Sequence, residues 1–371
     1  MYINFYIIEI ICIMWCFNMF KIFDKTNKKG IFYLFSMATV LVFLVTMISS
    51  ASATTYTIST ENSTSSIHDF LKDNQSPLAN GDTVIFKAGN YSDLNLNVKK
   101  SITLKTSGKV TVRTVWIHNN TKISGFIINK NFYADNSNTI TKNTIKGLFI
   151  VDNYNTITKN TIKRSLQVNG ANNVINANNI KGGIWSFGAK NVFKKNTVSK
   201  ESQIGGGKNI VASNTFKKHV YIFDNNNKIT GNKIANNYKV HTSGKKNILK
   251  NNKQSYRDLT LINIGKTSKG HVLSVKNAGT KSSVACYIKI NNYEKNVYNI
   301  KVPKLKKGKS IRIIIPKRII NKLKYRYYET TYYGGYIYLD KKNKNKDADL
   351  TNNNLYVGSD EKGYRVYFSM M

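Results

Sequence analysis

A motif of the form Asn-x-Ile-x-x-Asn-x-Ile recurs about every eighteen residues through the middle of this chain. A short fixed period means that each repeat is one structural unit, which stacks on its neighbours to bury a shared core. Eighteen residues are too few for a helix pair, and the β-branched residues, Asn and Gly of this segment are poor helix formers. The period therefore predicts an all-β parallel β-helix with one coil per repeat. Copies begin at Asn138, Asn155, Asn173, Asn191, Asn209, Asn227 and, with weaker similarity, Asn247, and a degenerate copy begins at Thr121.

The repeat also predicts which side chains face the core, with offsets counted from the first Asn of each copy. Apolar residues recur at offsets 2 and 7, as at Ile140 and Ile145, and at offsets 11 and 13, as at Phe149 and Val151. Because strand side chains alternate faces, offsets 10 and 12 are expected to face outward. In the copy that begins at Asn227, this count predicts Tyr238 and Val240 inside and Asn237 and Lys239 outside.

The Asn residues at offsets 0 and 5 are expected to be turn and ladder residues. Asn tolerates left-handed backbone geometry, and stacked Asn amides can hydrogen-bond along the coil axis. The predicted ladder consists of Asn138, Asn143, Asn155, Asn160, Asn173, Asn178, Asn191, Asn196, Asn209, Asn214, Asn227 and Asn232.

Residues 1–53 resemble a secretory signal. An apolar run at 31–48 follows Lys28 and Lys29, and the small residues Ala51-Ser52-Ala53 come after it. This pattern predicts cleavage after Ala53 and an extracellular location. The alternative is an uncleaved membrane anchor, because the run is nearly long enough to span a bilayer. Residues 1–18 are also apolar, so they form either a second hydrophobic segment or a misassigned start.

The net charge of +38 predicts attraction to polyanions through a field that salt screens. Nucleic acid fits less well than acidic polysaccharide, because the sequence has a secretion signal and no recognised nucleic-acid motif. A bias of the genome toward Lys and Asn codons is an alternative source of the charge. Cys286 is the single cysteine after residue 53, so no disulfide framework is expected.

Residues 54–120 are expected to cap the coil stack, because an open end would expose unpaired strand edges. A short helix is predicted at 66–71, and strands at 83–87 and 101–105. The segments GDTVIFKAGNY at 81–91, SITL at 101–104 and ISGF at 123–126 resemble the pectate-lyase-like and NosD-like superfamily. The resemblance covers roughly 56–253, with regular coils at 121–253, and implies a right-handed, single-stranded parallel β-helix. It implies no single activity, because that fold carries lyases, hydrolases and non-enzymatic surface proteins.

Residues 256–371 lose the period and read as short strands separated by turns. The segments VKNAG at 275–279 and LKKGKS at 305–310, with the pair Asn352-Asn353, resemble the immunoglobulin-like module CARDB and imply a β-sandwich. The tail at 355–371 extends beyond that resemblance. A secreted β-helix followed by such a module resembles the adhesin-like proteins of methanogenic archaea. Strands are predicted at 259–264, 272–277, 284–291, 297–302, 310–315, 325–330 and 335–339.

Outward positions of the coils carry aromatic and amide side chains. Aromatic rings suit the apolar faces of sugars, and amides suit their hydroxyls. The alternative is that these residues simply occupy solvated strand positions that favour them. The predicted glycan-binding residues are Tyr133, Gln167, Trp185, Gln203 and Tyr221.

Carboxylates are scarce in the coils, where residues 121–252 hold only Asp135, Asp152, Glu201 and Asp224. The three Asp residues precede a ladder Asn by three positions, which favours a turn role over a metal pair. Glu201 and His219 share one offset in adjacent coils and could form an acid–base pair. A glycosidase would normally need a second carboxylate there.

Metal and cofactor sites are not expected, because His68, His118, His241 and His271 share no repeat phase. The sequence thus predicts a secreted or cell-surface adhesin-like protein, non-catalytic, whose partner is an anionic cell-wall or neighbour-cell polysaccharide. No specific nucleic acid is expected, and membrane contact is expected only through an uncleaved signal segment. The alternatives are a carbohydrate-active enzyme that uses Glu201 and His219, and a purely structural envelope protein.

Overall fold

The computed structural model describes residues 53–72, 76–293, 295–327, 330–359 and 366–370. Apart from Ala53, the predicted signal segment lies outside the described residues. The described chain is mainly β-structure and contains a parallel β-helix of about nine turns, which confirms the predicted fold class at this level. Its helical elements are helix α1 at Thr64–Lys72, helix α2 at Lys317–Asn321 and a 3-10 turn at Leu350–Asn352.

The N-terminal coils are built from strands at Thr55–Ile58, Thr83–Val98 and Thr103–Ile117, which pair in parallel in that order. Helix α1 buries Ile67 and Leu71 in the same core. The two long strands extend well beyond the short ones predicted at 83–87 and 101–105. They continue around the corners of the coil because their pairing absorbs register shifts at Lys87–Gly89 and Tyr91–Asn95.

The regular coils are three-sided, and each strand pairs in parallel with its equivalent one coil later. The first face consists of Lys122–Ser124, Thr139–Thr141, Thr156–Thr158, Val174–Asn176, Val192–Lys194, Ile210–Ala212, Lys228–Thr230 and Ile248–Lys250. The second face consists of Phe126–Ile128, Thr144–Ile145, Thr161–Ile162, Asn179–Ile180, Thr197–Val198, Thr215–Phe216 and Lys233–Ile234. The third face consists of Phe132–Ala134, Phe149–Val151, Leu166–Val168, Ile184–Ser186, Ser202–Ile204, Val220–Ile222 and Val240–Thr242.

Aliphatic and aromatic ladders fill the inside of the coils. Ile140 and Ile145 have no exposed surface, and neither do Phe149 and Val151 on the third face. Phe132 stacks on Phe149 one coil later, with ring centroids 4.7 Å apart. At about 25 cal/mol for each Å² of apolar surface removed from water, these ladders provide the main drive for folding.

The twelve ladder Asn side chains are buried and hydrogen-bond from coil to coil. Oδ1 of Asn178 accepts from the backbone N–H of Asn160, 2.9 Å away, and its Nδ2 donates to the carbonyl of Ile157. Each side-chain amide thus hydrogen-bonds to backbone N–H and C=O groups at a corner between strands. Buried backbone polar groups need such partners where the strand ladder is interrupted. The prediction of left-handed backbone at these Asn residues is wrong. The residue just before each ladder Asn takes that conformation instead, as at Tyr154 (φ 59°) and Ala177 (φ 55°).

The last regular coil differs from the sequence prediction by two residues. Val220 pairs with Val240 and Tyr221 with His241, so Lys239 and His241 take the outward positions predicted for Asn237 and Lys239. Val240 is buried, but Tyr238 only partly so, and Thr242 lies at the second inward position. The cause is a two-residue insertion at the preceding corner, visible as the 20-residue interval between Asn227 and Asn247.

The C-terminal region forms two antiparallel sheets. Both contribute to one buried cluster that includes Leu273, Ile288 and Val357. Cys286 is buried in this cluster, and burial raises the pKa of its thiol to about 12. The strands of the smaller sheet are Leu259–Thr267, Gly270–Asn277 and Ser310–Pro316. The strands of the larger sheet, in spatial order, are Asn296–Val302, Cys286–Asn291, Thr330–Leu339, Asn354–Ser359 and Val366–Met370. A further strand, Lys324–Tyr327, pairs with Thr330–Leu339. The last two strands of the larger sheet occupy the tail that the sequence left unplaced.

Candidate functional site

Two parallel rows of side chains run along the outside of the third face. Inward positions lie between them, so both rows face solvent. Row A, at offset 10, consists of Asn131, Leu148, Ser165, Gly183, Glu201, His219 and Lys239. Row B, at offset 12, consists of Trp116, Tyr133, Ile150, Gln167, Trp185, Gln203, Tyr221 and His241.

A cleft of about 340 Å³ opens in this face beside row A. Gly183 adds no side chain to row A and is buried, because the next coil lies so close that a Cβ would be 1.9 Å from the carbonyl oxygen of Glu201. Trp185, with 39% of its surface exposed, stands beside that glycine. A glycine floor next to an exposed indole leaves a depression in which a ring can lie against the tryptophan. The lining residues are Ser165, Gly183, Trp185, Lys200, Glu201, Lys218, His219 and Tyr238.

Two lysines give the cleft a basic edge. Lys200 is exposed, and Lys218 occupies the equivalent position in the next coil. The Nζ of Lys218 lies 2.6 Å from the Tyr238 hydroxyl and 4.6 Å from the centre of its ring. The hydrogen bond to the hydroxyl holds this ammonium group at the cleft, where it can also meet a ligand anion.

Glu201, His219 and Tyr221 are neighbouring titratable residues, and the first two line the cleft. Burial raises the pKa of Tyr221, and its hydrogen bond to Glu201 raises that pKa further. Burial lowers the pKa of His219, although the nearby charge of Glu201 acts in the opposite direction. His219 is therefore a neutral imidazole at neutral pH, and its ring meets the Tyr238 ring edge-on at 4.9 Å.

A charged network lies at the end of row A and row B. The Nζ of Lys239 lies 2.7 Å from Asp258 Oδ2 and 3.1 Å from Asp349 Oδ2. Burial alone would lower the pKa of Lys239, but the hydrogen bonds and charges of the two carboxylates outweigh it and raise that pKa. His241 stacks on Tyr221 with ring centroids 4.5 Å apart. Side chains from the C-terminal region thus support the row beside the cleft.

A second aromatic group lies near the N-terminal end of the third face. Trp116 stacks on His118, with centroids 5.4 Å apart, and lies 6.0 Å from Tyr133. The carboxylate of Asp135 accepts from the indole N–H of Trp116 at 3.1 Å and lies 2.8 Å from Nδ1 of His118. Asp135 therefore organises an outward aromatic group, which differs from the turn role predicted for it.

Asp224 does occupy a turn. Its backbone is left-handed (φ 66°), and its Oδ2 accepts from the N–H of Gly206 in the preceding coil at 2.8 Å. Asp152 lies one coil after Asp135, and its backbone N–H donates to the carbonyl of Ala134.

The structure brings some of the predicted site residues together and separates others. Trp185, Glu201 and His219 line the cleft. Tyr221 is a neighbour of Glu201 but does not line the cleft. Gln203 lies in row B between Trp185 and Tyr221. Gln167 is one coil before Trp185, and its Nε2 donates to Asn169. Tyr133 lies three coils from Trp185, in the Trp116 group.

Sequence reasoning missed Lys200, Lys218, Tyr238 and His241 as neighbours of the site. The two lysines lie at offset 9, just before the third-face strand, and they look like other turn lysines in the sequence. Tyr238 and His241 were misplaced by the insertion, whose signal is the longer interval before Asn247. His241 contacts His219, a neighbour that the sequence count did not predict.

Within the described ranges, no group of three or more His, Cys, Asp or Glu side chains is arranged to hold a metal ion. In the same part of the chain, no helix is long and apolar enough to cross a membrane. Comparison with known proteins found no matching family model, no similar curated protein and no similar solved structure.

Proposed function

We propose that this chain is a secreted or cell-surface adhesin-like protein that binds an anionic glycan without catalysis, through the cleft of the third face. The observation that carries the proposal is an exposed indole and two lysines around one glycine-floored depression, at Trp185, Lys200, Lys218 and Gly183. Indole faces stack on the C–H faces of sugar rings, and ammonium groups pair with carboxylate or sulfate.

The size and charge of the protein fit this ligand class. A depression of about 340 Å³ lies at the lower end of the range of small-ligand sites and accommodates one or two sugar rings. The net charge of +38 raises the local concentration of a polyanion around the cleft. A specific nucleic acid is not the proposed partner, and membrane contact is proposed only through an uncleaved signal segment.

We propose further that the β-helix is right-handed and that the C-terminal region is an immunoglobulin-like, CARDB-like sandwich that mediates attachment. Two antiparallel sheets that share one buried cluster support the sandwich. The motifs at 275–279 and 305–310 support the family.

A carbohydrate-active enzyme is the second candidate. Glu201 and a neutral His219, which line the same cleft, favour it. A neutral imidazole can abstract a proton, and so can a carboxylate. The cleft lining holds one carboxylate, whereas glycosidases use two, so a proton-abstracting lyase is the reaction that this set of groups fits better.

The test uses residues 54–371 with immobilised polygalacturonate and with its fully methyl-esterified form, in which each carboxylate is a neutral ester. We expect retention on the acidic polymer, about tenfold weaker binding for Trp185→Ala, and little change for Tyr154→Ala. Tyr154 is the matched control because it is an exposed aromatic residue in a turn, 62% exposed. Equal retention of all three proteins would reject the cleft and favour a structural envelope protein held by its charge.

Soluble products separate the enzyme from the adhesin. Binding without released oligosaccharide supports the adhesin. Release of unsaturated oligosaccharides that stops in Glu201→Gln and His219→Gln would establish the enzyme.

A further inference from the structure

A group of tyrosines covers the outer face of the larger C-terminal sheet, remote in sequence from the cleft. Ile288, Ile290 and Leu355 point into the core, so the alternate residues of these strands face outward. Across the paired strands, Tyr356 lies opposite Tyr336. We call the outward tyrosines the tyrosine platform: Tyr287, Tyr293, Tyr336, Tyr338 and Tyr356.

The rings of the tyrosine platform hold one another in place. Tyr336 lies nearly parallel to Tyr338, with centroids 5.9 Å apart, and meets Tyr356 at 5.7 Å. The hydroxyls of Tyr293 and Tyr356 are 2.9 Å apart. The Tyr293 ring lies against Gly334, where a Cβ would come within 2.3 Å of the ring. Because the rings are already ordered, a ligand that stacks on them loses little free energy to side-chain ordering.

Basic and amide side chains border the tyrosine platform. Lys341 Nζ lies 4.6 Å from the ring centre of Tyr338, and Lys289 lies opposite Tyr338 on the neighbouring strand. Lys301 lies opposite Tyr287. The nearby Asp340 is buried, and its carboxylate accepts hydrogen bonds from the backbone N–H groups of Lys344 and Asn345, so it is held away from the surface that a ligand would meet.

We propose that the tyrosine platform is a second glycan-binding site, specific for an acidic polysaccharide. Aromatic rings with hydroxyls fit sugar faces and their hydroxyl groups, and the lysines complement carboxylates. Protein interfaces are also rich in tyrosine but poor in lysine, whereas lysines border this face. The site is independent of the cleft, and two sites on one chain would hold a polymer more tightly than either alone.

Hydroxyl-radical footprinting of the intact chain with polygalacturonate tests the platform without any substitution. We expect Tyr287 and Tyr293, 45% and 52% exposed, to be oxidised about threefold more slowly when the polymer is bound. Tyr154, 62% exposed, should be oxidised at an unchanged rate. Protection of Trp185 without protection of Tyr287 and Tyr293 would overturn the platform. Protection of these tyrosines without Trp185 would support the platform and reject the cleft.

A binding measurement in the Trp185→Ala background isolates the platform from the cleft. We expect Tyr293→Ala with Tyr338→Ala to weaken the residual affinity for polygalacturonate about tenfold. Tyr154→Ala in the same background should leave it unchanged. Unchanged residual affinity in the double variant would overturn the proposal, and footprinting of the wild-type chain still decides the question if that variant does not fold.

Discussion

Nε2 of His241 lies 3.1 Å from Nδ1 of His219, and this contact joins the last coil to the cleft. The backbone N–H of Lys239 donates to the same Nδ1 at 3.3 Å. That nitrogen therefore accepts, and His241 supplies the proton. The other ring nitrogen of His241 lies 3.8 Å from Asp349 Oδ2. A carboxylate from the C-terminal region thus lies on the far side of the imidazole that contacts His219.

Binding of an anionic ligand should strengthen as the pH falls. The pKa of His219 is lowered by burial, so its imidazole is neutral at pH 7 and gains a proton below its ordinary value of 6.5. One added positive charge in the cleft corresponds to about 1 kcal/mol, or about fivefold in Kd. The ligand should be dextran sulfate, whose charge is constant across this range. His219→Gln should show a smaller change in affinity between pH 7 and pH 5 than the wild-type protein, and an equal change in that variant would contradict the assignment.

The two cleft lysines should contribute more to binding than two lysines elsewhere in the coils. Lys200→Gln with Lys218→Gln should weaken binding of polygalacturonate about tenfold. Lys194→Gln with Lys195→Gln removes the same charge at the corner after the first face and should have a much smaller effect. Equal losses in the two double variants, measured at the same salt concentration, would mean that net charge alone binds the ligand.

Removing one ladder amide should strongly destabilise the β-helix. Asn178→Ala leaves the N–H of Asn160 and the carbonyl of Ile157 buried and unpaired. Each lost partner costs about 1–3 kcal/mol, so we expect a decrease of about 3–5 kcal/mol in the free energy of unfolding. Asn179→Ala is the matched control, because Asn179 points out of the core on the second face. Urea denaturation should show a change below about 1 kcal/mol for it.

The buried ion pair of Lys239 and Asp258 should be strongly coupled. Lys239→Met leaves the Asp258 carboxylate, 5% exposed, without its cation and should cost about 3–5 kcal/mol. Asp258→Asn in the same protein should restore part of that loss. A double-mutant cycle in urea measures the coupling, and additive effects of the two substitutions would show that the pair contributes nothing as a pair.

Acid should destabilise the C-terminal region through His271. Burial lowers the pKa of His271 from 6.5 to about 4. A group whose folded pKa is depressed contributes stability above its unfolded pKa, and this is lost as the pH falls through the folded value. We therefore expect a loss of up to about 3 kcal/mol between pH 6.5 and pH 4. His271→Gln should lack this component of the pH dependence, so unchanged acid sensitivity in that variant would assign it to other groups.

The coils could be predicted from sequence because the repeat is a local signal. Ile140 and Ile157 recur at the repeat interval and pair directly in the structure. The interval cannot reveal where an insertion falls, so Lys239 was assigned to row B, where the structure places His241. Asp349 reaches Lys239 from 110 residues away, and no periodicity encodes such a contact. Row B from Tyr133 to Tyr221 could be listed in advance, but Trp116, His241 and the support from the C-terminal region could not.

Calorimetric titration of residues 54–371 with an acidic galacturonate oligosaccharide, compared with Trp185→Ala, tests the central claim most directly. The glycan-binding account predicts saturable binding by the wild-type protein and by Tyr154→Ala, with Kd about tenfold higher for Trp185→Ala. Binding of equal affinity by all three proteins would place the ligand elsewhere and contradict the account.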